Sequence, residues 1–145
     1  MAFERSAAGR KPALSPPQTF ASSRPERWCV DAGDAALAEL RVPPDARRER
    51  RFEVACAMTV GLRVDSDAIV DAQAETEEAW HEMTVHVNGA KQWSRRIATR
   101  NPGHWDGLDY RFTATVPLGQ ALRVKVQVAT RGAQRRSLLV EADEL

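Results

Sequence analysis

From Phe52 to Val64 every second residue is apolar: Phe52, Val54, Cys56, Met58, Val60, Leu62 and Val64. Between them stand Glu53, Ala55, Ala57, Thr59, Gly61 and Arg63. A period of two sends successive side chains to opposite sides of an extended chain, so this run predicts a strand with one buried face. Tyr110, Phe112, Ala114 and Val116 repeat the pattern against Arg111, Thr113 and Thr115. Leu122, Val124, Val126 and Val128 repeat it against Arg123, Lys125 and Gln127.

Weaker alternation predicts further strands. Ala36, Ala38, Leu40 and Val42 run up to the stop at Pro43-Pro44, and Ala68, Val70, Ala72 and Ala74 follow a tight turn at Asp65-Ser66-Asp67. Leu138 and Val140 suggest a last short strand, and a hairpin about Asn88-Gly89 adds two more. One helical turn fits Asp34–Leu40 or Ala74–Trp80, but no long amphipathic helix is visible. About eight strands, each with one apolar face, predict an all-β fold class. The expected form is an antiparallel two-sheet β-sandwich, immunoglobulin-like or jelly-roll-like, with a closed barrel as the alternative.

Residues 1–27 break the pattern. They carry Pro12, Pro16, Pro17 and Pro25 among Ser, Ala and Arg, and cannot bury enough apolar surface to offset the entropy of ordering. This segment is expected to be a disordered or extended tail, with the sandwich domain spanning 28–145. The tail has a local charge of +3: Arg5, Arg10, Lys11, Arg24 and Arg27 against Glu4 and Glu26. The chain as a whole carries only +1, so no global field draws it to nucleic acid or an anionic membrane. Its arginine runs (Arg47, Arg48, Arg50 and Arg51; Arg95, Arg96 and Arg100; Arg131, Arg135 and Arg136) are broken by Glu49 or placed at strand ends, which argues against a nucleic-acid partner. No stretch reaches the roughly 20 apolar residues of a membrane span. The N-terminus lacks the apolar core of a secretory signal, so a cytoplasmic protein is expected.

His81-Glu82-Met83-Thr84-Val85-His86 is near a zinc-protease signature but one residue too long. On a helix a spacing of five turns the second ring by about 500°, leaving the two roughly 140° apart. On a strand an odd spacing sends them to opposite faces. No metal is therefore expected, and the residues read as a strand with one exposed and one partly buried histidine. The turn sets the register. With a simple two-residue Asn88-Gly89 turn, Thr84 would face Trp93, and the apolar residues would be split between faces. A three-residue loop gathers Met83, Val85 and Trp93 on one face with His81, and sends His86 to the other. A three-residue loop with a left-handed glycine is expected.

Other chemistry is sparse. No two glycines are separated by one residue, and no Walker lysine or Gly-x-Ser-x-Gly elbow occurs. Asp65 and Asp67 suit a turn better than a calcium loop. Asp106 and Asp109 could approach as an acid–base pair. Cys29 and Cys56 are too few for a four-cysteine zinc site, and could bond only on neighbouring strands. The stretch that stands out is Arg100–Tyr110, read as a long loop, with Arg100, His104, Trp105, Asp106 and Tyr110 as candidate contact residues for a protein partner or a glycan.

Met83–Gly89 together with Tyr110–Val128 resembles the middle and end strands of sandwich modules. Some of these are accessory domains of glycosidases, and others are immunoglobulin-like protein-binding domains. The resemblance implies fold and not function. The expected function is a non-catalytic one, without cofactor: a structural or accessory subunit acting through protein–protein contacts in a larger assembly, its N-terminal tail a tether. The alternative is a carbohydrate-type binding module using residues 100–110.

Overall fold

The computed structural model describes residues 19–20, 25–62, 78–100 and 105–145. They form strands β1 (Thr19–Phe20), β2 (Arg27–Asp31), β3 (Leu37–Val42), β4 (Arg50–Leu62), β5 (Trp80–Val87), β6 (Ala90–Ala98), β7 (Trp105–Val116), β8 (Leu122–Arg131) and β9 (Ala133–Glu144). One sheet has the order β1-β2-β9-β4-β7 and the other β3-β8-β5-β6, with every neighbouring pair antiparallel. The fold is an all-β, two-sheet sandwich with no helix among the described residues.

The alternation read from the sequence is the alternation of burial. Phe52, Val54, Cys56, Met58 and Val60 of β4 point inward and are shut off from solvent. They meet Leu40 and Val42 of β3, Met83 and Val85 of β5, and Leu122, Val124 and Val126 of β8. The strand expected over Ala68–Ala74 and the turn at Asp65–Asp67 lie outside the described residues. Thr19–Phe20, within the segment read as tail, pairs with Val30 and Cys29 of β2.

The short strand expected at Leu138–Val140 is instead the twelve-residue β9, and it is central, between β2 and β4. Thr59 pairs with Ser137 but Val60 with Arg135, so Arg136 is an extra residue. Such a bulge puts two residues opposite one, and here it interrupts the period of two just before Leu138.

The β5–β6 hairpin corrects a second expectation. Its turn has two residues, not three: Asn88 and Gly89 both lie at positive φ (50° and 87°), as the tight turn that matches strand twist requires. Val87 faces Ala90 and His86 faces Lys91, yet Val85 faces Trp93. The register shifts at Gln92, a bulge in β6. This bulge supplies the one-residue offset expected of the loop, so Met83, Val85, Trp93 and His81 share the inner face as read. His81 is not partly but wholly buried, with Nδ1 2.7 Å from Thr99 Oγ1, and His86 is half-buried on the outer face.

One end of the sandwich is closed by charge rather than by apolar packing. Arg50 continues the inward row of β4 and is almost fully buried. Its Nη1 donates to Glu26 Oε1 at 2.8 Å and its Nη2 to the Pro43 carbonyl at 2.8 Å. Arg48 bridges Glu26 (2.9 Å) and Glu144, and lies 3.6 Å from Asp45. The hydrogen bond to Glu144, helped by the charges of Glu26 and Asp45, raises the Arg48 pKa above the ordinary arginine value. Glu26 also accepts from Trp28 Nε1 at 3.0 Å. The cluster ties the entry to β2, the 43–50 segment and the end of β9 together.

At Gly107 the backbone of β7 comes close to that of β4. A Cβ there would stand 2.3 Å from the Met58 carbonyl oxygen, a backbone atom that cannot swing away. Gly107→Ala is expected to cost about 1–3 kcal/mol by forcing β7 off β4. Urea unfolding would check this, and an unchanged midpoint would show that the strands yield.

Candidate functional site

The sheets' outer strands on one flank are β6 and β7. Between them Trp93 and Tyr110 stack face to face, centroids 4.5 Å apart and planes within 8°. Phe112 continues the column 5.5 Å beyond Tyr110. All three rings are half-buried against the core. Gln92, the bulge residue, donates from Nε2 to the Tyr110 hydroxyl at 3.3 Å. The bulge therefore has a local role, since it puts Trp93 on the inner face and leaves Gln92 free to reach across.

The residues singled out over Arg100–Tyr110 do not form one site. Trp105–Tyr110 is not loop but the first half of β7, paired with Gly61 to Cys56 of β4. The glycine in the stretch read as a long loop has another cause: Gly107 is needed for the close approach to Met58. Asp106 Oδ2 accepts from the Arg100 backbone N–H at 3.3 Å and its Oδ1 from Gly107 N–H at 2.9 Å, so its carboxylate pins the start of β7. The Arg100 guanidinium turns instead to Glu78 at 3.5 Å. Tyr110 lies four residues further along the strand, in the aromatic column. His104 lies outside the described residues, and of Trp105 only the backbone is described. Asp106 and Asp109 are three apart on a strand, so they face opposite ways and do not pair.

The other candidate chemistry separates in the same way. His81 and His86 lie on opposite faces of β5, and among the described residues no three His, Cys, Asp or Glu stand close enough to hold a metal ion. Glu39 and His86 line one shallow depression of about 330 Å³ on the outer face of the four-stranded sheet. They sit on different strands with Lys125 between them, so they make no acid–base pair. No helix among the described residues is long and apolar enough to cross a membrane.

Both cysteines are free thiols. β9 separates β2 from β4, so Cys29 and Cys56 are two strand spacings apart, about 10 Å. That exceeds the roughly 7 Å limit for a disulfide, and the side chains point to opposite faces. Burial, then the charges of Glu141, Asp31 and Asp143, raises the Cys29 pKa. Burial alone pushes Cys56 up to about 12 from 9.0. The unfolded chain therefore loses this proton first. Stability from Cys56 is complete below about pH 9 and is lost as pH rises toward 12. Cys56→Val is expected to flatten that alkaline slope in urea melts taken from neutral pH upward. An identical slope in the variant would remove Cys56 as its source.

The four sheet margins differ in how they discourage further pairing. β1 is two residues long, and β3 has six residues and runs into Pro43-Pro44. β6 carries Lys91, the bulge at Gln92, and Arg95 on its inward row opposite Met83. These are the devices by which sheet edges avoid unwanted strands. β7 runs twelve residues without proline, lysine or register shift, and among the described residues it is bonded to β4 alone. The aromatic column lies along its inner side.

No protein-family model matches the chain, and no curated protein matches it. Among solved structures it is similar to part of dimeric latent PorU from Porphyromonas gingivalis, with a TM-score of 0.42 and 12% identity over 79% of this chain. The chain spans 10% of that protein's length.

Proposed function

We propose that the protein is a non-catalytic binding module that works by protein–protein contact, as an accessory or structural subunit of a larger assembly. One observation supports this reading above the others. β7 offers a long row of backbone N–H and C=O groups without the proline, lysine or bulge that guards β3 or β6. The charge on its inward row, Asp106, stands at the very start of the strand with its carboxylate bonded to the Arg100 and Gly107 N–H groups. A strand added there gains main-chain hydrogen bonds, each worth about 0.5–1.5 kcal/mol net, and alternate side chains supply specificity. Of the segment 1–27 read as the tail, Thr19–Phe20, Glu26 and Arg27 belong to the sandwich, so the basic stretch before them, with Arg5, Arg10 and Lys11, serves in this reading as the tether. A glycan site is less well supported, because Tyr110 spends one ring face on Trp93 and its hydroxyl on Gln92.

The test is a photo-crosslinking amino acid placed at Thr113 of β7 or, as control, at Lys125 on the outer face of the other sheet. It is carried out in the full chain in its own cells. A defined protein adduct from Thr113 and none from Lys125 is expected, with a lower yield once residues 1–18, which leave β1, Glu26 and β2 intact, are deleted. No adduct at Thr113, or the same adducts from both positions, would overturn the reading.

A further inference from the structure

We infer that the strand received by β7 is β7 of a second copy, paired antiparallel about a two-fold axis through Tyr110. The inference rests on the docking reading above and names the occupant. Its basis is charge. Outward along β7 stand Gly107, Asp109, Arg111, Thr113 and Thr115, so the two charged residues flank Tyr110 one on each side. Both are exposed, and among the described residues Arg111 meets Glu53 of its own chain at no closer than 4.0 Å.

A two-fold axis normal to the sheet must run midway between one residue of β7 and the same residue of the copy, which is what an axis through that residue means here, and the choice of residue fixes every pair. Through Asp109 it sets Asp109 against its own copy, and through Arg111 it sets Arg111 against its own copy. Like charges directly opposite are destabilising. Through Leu108 or Phe112 both charges meet uncharged positions. Through Tyr110 alone, Asp109 of each copy faces Arg111 of the other, twice. The same register sets Leu108 opposite Phe112 in both directions and Tyr110 opposite Tyr110 on the inner side. Phe112 is half-buried in the single chain, and a second strand covers it. Thr113 falls opposite Gly107, where no side chain competes for space. The two five-stranded sheets become one sheet of ten, five from each copy. Lys91 and Arg95 hold the β6 margins apart, so the four-stranded sheets stay separate.

Sedimentation of the full chain over a concentration series tests this. The wild type is expected to dimerise reversibly. Asp109→Arg puts arginine against arginine twice, and Arg111→Asp puts aspartate against aspartate twice. Each is expected to weaken dimerisation at least tenfold while the circular dichroism and unfolding midpoint stay near wild type. An equimolar mixture of the two variants re-forms the complementary pairs and should restore dimers, as should the double swap within one chain. Two chains that had failed to fold could not rescue each other. A wild type that stays monomeric up to about 1 mM, the weak end of specific association, would overturn the inference. So would single variants that dimerise undiminished, or mixtures that do not recover. A monomeric wild type that still gives a heterologous adduct at Thr113 would leave the docking reading standing, and loss of both would end both.

Discussion

Glu26→Ala is expected to lower the free energy of unfolding by about 3–5 kcal/mol, the usual effect of removing one partner from a buried ion pair. The loss comes less from the missing attraction than from what stays behind. Arg50 has a side chain 2% exposed, and its guanidinium pairs with the Glu26 carboxylate at 2.8 Å. Without Glu26 its guanidinium keeps the Pro43 carbonyl and the face of Phe52 at 5.6 Å, neither of which carries a charge. Arg48 loses one of its carboxylates and Trp28 its acceptor in the same step. Arg27→Ala is the informative comparison. Its bond to Asp143 at 3.2 Å joins side chains 70% and 50% exposed, and such pairs contribute about 0–1 kcal/mol. Urea unfolding of both variants checks the contrast. Equal losses would mean that the cluster is wet and that burial does not set its worth.

Phe52→Ala is expected to cost about 3–5 kcal/mol as well, by a different route. Phe52 is fully buried on the second inward position of β4, where the strand is paired on both sides, with Ala114 and with Glu144. Paired backbone on both flanks cannot collapse into the space a ring leaves, so the cavity term adds to the transfer term. The Arg50 guanidinium also loses the ring face beneath it. The midpoint should fall with the denaturant slope unchanged, since the surface exposed on unfolding hardly differs. A changed slope would instead mean that the sandwich end has opened in the native state.

The sequence was legible wherever alternation ran unbroken. From Phe52 in β4, Leu108 in β7 and Leu122 in β8 one face stays apolar without a skip, and the two-sheet sandwich follows from these rows. β9 was read as a fragment because the bulge at Arg136 shifts its phase. β2 was missed because only Val30 of its five residues is fully buried, and it adjoins a proline-rich stretch. The hairpin shows how a right register can rest on a wrong turn. A three-residue loop and a two-residue turn with a bulge both displace the partner strand by one, and side-chain clustering cannot tell them apart. The backbone needs of Asn88 and Gly89 could have done so.

The candidate site was less legible. Trp93 and Tyr110 touch across two sheets, and no periodicity along one strand reports which strands of different sheets share a flank. What the sequence did offer was parity. Tyr110 and Phe112 fall on the inward row of β7 with Leu108, so aromatic rings at a margin could have been anticipated. The same parity would have separated Asp106 from Asp109. Glycine and aspartate at the start of β7 suggested a loop, although there they serve a close crossing and a backbone anchor.

The central place of β9 has a kinetic consequence. Its neighbours are β2 and β4, and its pairings Arg27 with Asp143 and Phe52 with Glu144 join points far apart along the chain. Most of the intervening loop must be closed before either pairing yields anything, which places such topologies among the slow folders, in milliseconds to seconds. Until β9 docks, β2 and β4 each present a bare, apolar-faced margin. Aggregation during refolding should therefore track the lifetime of that interval, and a soluble peptide copying Ala133–Glu144 should compete for the gap.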